Sequence, residues 1–235
     1  MKTVPMTKKL ANKSPDLLKT IKRFCIVVVF SIAFAYIEAA VVVYLRTIFH
    51  PDGFTFPLTG FGISPLWKRL LLTEIGREAA TLVLILAAAR LFGRELRQQF
   101  AYFLTIFAVW DIFYYAWLKV LINWPDSIMD WDVLFLIPAV WASPVLAPVL
   151  ISVTLLIFAI VILYRSCCGR PMEATLTDWF GFVLASGVVV VSFCVGGLHI
   201  KDCDFRSHFY WPLFGLGHIS TIALFLKCLL KSKNV

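Results

Sequence analysis

The chain has 235 residues, 60% of them hydrophobic and 15% charged, with a mean hydropathy of +0.85 and a formal net charge of +8. Soluble globular domains are nearer half apolar and a quarter charged, so the composition excludes them, and it excludes a disordered chain too. Six scattered cysteines do not make a disulfide-built scaffold, and no CxxC or HExxH pattern marks a zinc site. The expected class is an all-α integral membrane protein.

A bilayer core about 30 Å thick needs roughly 20 apolar residues at about 1.5 Å of rise each. Runs of that order cover 24–45, 73–92, 100–122, 144–164, 179–198 and 211–230. Irregular backbone facing lipid would leave its amides unsatisfied, so each run is read as a helix. The prediction is one six-transmembrane-helix bundle over 24–230, between a basic cytoplasmic tail at 1–23 and a short cytoplasmic tail at 231–235. The first run is longer than a signal-peptide core and no small-residue cleavage pattern follows it, so it is expected to stay in the mature protein. Ser14-Pro15 and Ser64-Pro65 each join a hydroxyl N-cap to a proline at the first helical position, Gly93 is placed to end the second helix, and Pro212 to open the sixth.

Lys and Arg placement orients the bundle. The N-terminal tail, the loop after the second span, the loop after the fourth and the C-terminus hold 15 of the 22 cations, so both termini are expected on the cytoplasmic side. Topology therefore accounts for the basic charge, and no nucleic acid is expected as a partner. Anionic lipid head groups suit the N-terminal tail at about 1 kcal/mol per cation.

The 32 residues from 133 to 164 carry no charge and would span about 48 Å as one helix, more than one perpendicular crossing. Pro138, Pro144 and Pro148 break such a helix. A Pro-broken short helix or re-entrant segment is expected over 133–142 before the fourth helix. An interfacial elbow, with Trp124, Trp131, Asp126, Asp130 and Asp132 at the surface, is the alternative.

Ionisable groups inside a span cost about 2.5 to 3.5 kcal/mol each and need a partner or a function. Glu38, Glu78, Tyr115 and His218 all fall roughly 7 to 11 Å below the outer ends of their helices, with Asp111 one turn deeper. Residues three and four apart share a helix face, which joins Glu74, Arg77 and Glu78 on the second helix and Asp111, Tyr115 and Lys119 on the third. Ser31, Ala35 and Ala39 form a small-residue groove that turns the first helix, and Glu38 with it, toward the bundle.

Two cations cannot neutralise four intramembrane carboxylates, so protons, a metal ion or a cationic ligand is needed to balance the pocket. Glu38, Glu78, Asp111 and His218 are the candidate ligands if a transition metal does so. A salt-bridge network of purely structural value, with Lys119 reaching outward, is the competing reading. No triad, P-loop or dinucleotide fingerprint occurs, and no catalytic residue is assigned.

The run FAVWDIFYYAWLKVLINWP, followed by WDVLFLIPAVW and by Pro144 and Pro148, resembles stretches of bacterial multi-pass inner-membrane proteins of no established activity. The resemblance covers about 74–152. It implies a bacterial inner-membrane location and carries over no functional residue. The functional expectation is a small proton- or cation-linked carrier with a carboxylate-rich pocket in the outer half of the bilayer. The alternatives are a membrane-embedded enzyme, metal-assisted or not, and an assembly or scaffold subunit working as a homo-oligomer or with a membrane-complex partner.

Overall fold

A computed structural model describes residues 14–51, 53–58 and 65–231. Lys2, Lys8, Lys9, Lys13 and Lys233 of the expected basic tails, and the Ser64 cap, lie outside these residues. The chain runs α1 (Ser14–Phe49), α2 (Pro65–Phe92), α3 (Leu96–Ile122), β1 (Trp131–Phe135), β2 (Trp141–Pro144), α4 (Leu146–Cys167), α5 (Leu176–Leu198), a 3-10 turn (Phe205–His208) and α6 (Trp211–Lys231).

Among the described residues, five helical segments are long and apolar enough to cross a bilayer: those of α1, α3, α4, α5 and α6, the last counted from Phe205. Large apolar side chains such as Ile37, Val120, Ile157, Val183, Leu184 and Leu226 face outward, as lipid-facing surfaces require. The sixth helix, α2, is 28 residues long, about 42 Å. Glu74, Arg77 and Glu78 fall within its first half, which keeps it out of that set.

The expected helix boundaries follow local chemistry. α2 starts at Pro65 and stops at Phe92, where the Gly93 amide still donates to the Ala89 carbonyl at 3.0 Å. A Cβ on Gly93 would stand 2.5 Å from the Gln99 backbone nitrogen, so the tight turn into α3 requires glycine. α5 opens on a capping box in which the Thr175 hydroxyl and the Asp178 carboxylate each accept from the other's amide. Pro212 occupies the second position of α6, where its missing amide costs nothing.

α1, α3 and α4 pack side by side with α2 on α3, while α5 and α6 form a close pair joined to the rest mainly through β2. Ser31, Ala35 and Ala39 are fully buried, which lets α1 approach α3 closely enough for the Trp117 indole to donate to the Ile32 carbonyl at 3.0 Å. The α5–α6 contact is equally close, because the hydrogen in place of a side chain at Gly217 faces the Ala185 carbonyl.

The segment before α4 corrects the sequence reading. It forms neither the short helix expected over 133–142 nor an elbow with Trp131 at the surface, but a two-stranded antiparallel hairpin pairing Trp131 with Pro144, Asp132 with Ser143 and Val133 with Ala142. The prolines forbid helix, and Val, Phe and Trp suit a pleated, half-buried surface. A lone hairpin is marginal in isolation, so its packing must hold it. Trp131 is 5% exposed and shares a core with Phe193, Phe205, Phe209 and Phe214. On α5, Gly196 and Gly197 form the seat: a Cβ there would fall 2.2 Å from the Ala142 carbonyl oxygen and 1.8 Å from that of Val140.

Candidate functional site

The hairpin and all six helices enclose a cavity of about 370 Å³. Seven of the eight residues singled out in the sequence line it: Glu38, Glu74, Arg77, Glu78, Asp111, Tyr115 and His218. The eighth does not. Lys119 reaches out of the bundle to the carbonyls of Asn123 and Pro125, at 3.2 and 2.9 Å, with Asp126 at 3.7 Å. Just past the C-terminal end of α3 its charge meets exposed carbonyls, which are better partners than a buried carboxylate two turns away.

The wall divides into three polar groups. On the α1–α2 side, Arg77 donates to Glu38 and, at 2.8 and 2.6 Å, to Glu74, so one guanidinium serves two carboxylates. The i, i+3 spacing brings Glu74 and Arg77 together within α2, and Glu38 comes from the neighbouring helix.

A second group joins the end of α1 to the hairpin. Arg46 donates to Asp132 at 2.9 Å, and both are buried. The other Asp132 oxygen accepts from the Tyr114 hydroxyl at 3.2 Å. The Arg46 guanidinium lies over the rings of both Phe54 and Trp124, 4.0 and 3.8 Å from their centroids, in the corner these perpendicular rings make. Burial lifts the Asp132 carboxyl above the usual carboxylate range, opposed by Arg46, the Tyr114 hydroxyl and the Val133 amide. His50, past the end of α1, is held below the usual imidazole range by burial and then by Arg46.

The third group has no cation. Glu78 accepts the Leu136 amide at 2.9 Å, and Asp111 accepts the Ser152 hydroxyl at 2.8 Å. Among the described residues, neither carboxylate has an ion-pair partner. His218 meets the Thr154 hydroxyl at 3.3 Å. The same hydroxyl lies 2.9 Å from the Leu150 carbonyl, to which it can donate.

Among the described residues, three buried side-chain donors have no acceptor: Nη1 of Arg46 and the indole nitrogens of Trp110 and Trp141. A buried unpaired donor costs about 1 to 3 kcal/mol, and these three lie behind the cavity surface rather than on it.

Arg46, Asp132, Tyr114 and Ser152 were not singled out by sequence reasoning. Arg46 and Asp132 are 86 positions apart, and each reads locally as a loop charge just beyond a span. Tyr114 neighbours Tyr115 but lies off the i, i+4 stripe that marked the latter. The proposed metal ligands Glu38, Glu78, Asp111 and His218 do not converge. Among the described residues, the group whose ligand atoms come together is His199, Asp202 and His208, in the α5–α6 connection.

No family model, curated protein or solved structure matches the chain.

Proposed function

We propose that the protein is a small proton- or cation-linked carrier whose substrate occupies the central cavity. One observation carries the proposal: Glu78 and Asp111, from different helices, line one cavity, and among the described residues each is hydrogen-bonded to a neutral donor and neither has an ion pair of its own. A positively charged solute, or a proton, is what such a pair lacks. A volume of about 370 Å³ suits a small molecule.

On this reading α2 is the sixth span, tolerated in lipid because Glu74, Arg77 and Glu78 face protein, while Arg69 and Arg90 lie near its ends. An even number of spans returns both termini to one side, and the Lys and Arg excess makes that side the cytoplasm; a bacterial inner membrane is what the resemblance over 74–152 implies.

The test uses purified protein in liposomes loaded with a pH-sensitive dye. NaCl, KCl or tetramethylammonium chloride is added outside, with the membrane potential clamped. A cation-dependent change in lumenal pH is expected, falling at least tenfold in Glu78→Gln and in Asp111→Asn. Rates equal to those of protein-free vesicles with every cation would favour a scaffold role, and protein-dependent rates unchanged in both variants would overturn the assignment of Glu78 and Asp111 to the pathway.

A further inference from the structure

The connection between α5 and α6 holds a polar cluster that the cavity does not use. His199 follows the last turn of α5, and its carbonyl accepts the Asp202 amide at 3.0 Å. The 3-10 turn then brings His208 back over His199, stacking the two imidazoles with centroids 3.8 Å apart and planes 11° from parallel. One ligand atom from each of His199, Asp202 and His208 lies within 4.8 Å of the other two. The turn is anchored from below. Phe205 and Phe209 are buried against Trp131, and the Ile200 carbonyl accepts the Leu58 amide at 2.7 Å.

We propose that this turn binds a divalent transition metal of the Zn²⁺ type through His199, Asp202 and His208. Stacked imidazoles offer each other no hydrogen bond, and each leans on a carboxylate instead: His199 Nδ1 on Asp202 at 2.7 Å and His208 Nε2 on Asp204 at 3.3 Å. Two imidazoles with one carboxylate match the donor preference of Zn²⁺, whereas Mg²⁺ and Ca²⁺ take oxygen ligands. A tetrahedral Zn²⁺ holds its donors at about 2.0 to 2.2 Å and therefore roughly 3.3 Å from one another, so these atoms, within 4.8 Å now, must draw together and the two rings must turn out of their parallel stack to aim at one ion. The ion enters by replacing the His199–Asp202 contact and keeps one position open for water. Asp204 is the carboxylate placed to orient the His208 ring. The side chains of His199, Asp202 and His208 are 33%, 47% and 31% exposed, which gives the ion a route in.

Full-length protein in detergent, stripped with chelator and titrated calorimetrically with ZnCl₂, is expected to bind about one equivalent. Affinity should fall at least tenfold in His199→Ala and in His208→Ala and stay unchanged in Cys203→Ser and Glu78→Gln. Asp202→Asn keeps the shape of the turn, so lost affinity with an unchanged metal-free melting temperature separates a missing ligand from a damaged fold. The proposal fails if the wild type takes up no Zn²⁺, if the His199→Ala/His208→Ala double variant still binds one equivalent, or if binding is lost in Cys203→Ser or Glu78→Gln instead.

Discussion

Arg46 at the end of α1 and Asp132 at the start of the hairpin form a buried ion pair at 2.9 Å across 86 positions of sequence. This tie fixes the hairpin against the first helix. Because both charges are out of water, removing one leaves the other uncompensated.

Arg46→Met and Asp132→Leu should therefore each destabilise the protein by about 3 to 5 kcal/mol, while the double variant loses much less than the sum. Denaturant titration of the four proteins in one detergent measures the cycle. Additive losses would mean that the pair is not coupled.

The hairpin seat makes a second prediction. Gly196→Ala and Gly197→Ala force a methyl to within 2.2 and 1.8 Å of main-chain oxygens that belong to a packed hairpin, so the backbone must move. Both variants are expected to lower the melting temperature and to disturb the cavity. Gly187→Ala, also in α5, meets nothing within 4 Å and should be tolerated. Equal behaviour of all three would contradict the close packing.

The Ser152 hydroxyl is the donor that the Asp111 carboxylate uses. Ser152→Ala should cost about 1.5 to 3 kcal/mol, the range for a hydrogen bond to a charged group, and Ser152→Thr should restore most of it. Thermal unfolding of the two variants side by side checks this.

Lys119 is half exposed and bonded to carbonyls outside the cavity. Lys119→Gln is expected to shift stability by less than about 0.5 kcal/mol and to leave vesicle transport unchanged. A transport defect would return Lys119 to the pocket.

Much of this architecture was legible in the sequence because its causes are local. Apolar length marked the helices, Pro65 and Gly93 marked the ends of α2, and the three- and four-residue spacings placed Glu74, Arg77 and Glu78 on one face. The spacing argument failed at Lys119. It identifies which side chains share a face, but at a helix end solvent decides whether a long side chain turns inward. The hairpin was hidden for another reason. Pro138 and Pro144 exclude helix over 133–144 without choosing between elbow and strand, whereas Pro148 sits in the first turn of α4. The choice between elbow and strand rests on Gly196 and Gly197, some 55 residues further along. The Arg46–Asp132 pair depends in turn on the hairpin, so no local pattern revealed it.

The group that meets Glu78 is a main-chain amide, that of Leu136, just past the end of β1. Position 136 is thereby released from any demand on its side chain. Every residue with an N–H supplies the same donor, and proline alone removes it. Sequence drift at the hairpin tip can alter what lies around this carboxylate while its anchoring contact persists, a separation of shape from identity that side-chain partners do not allow.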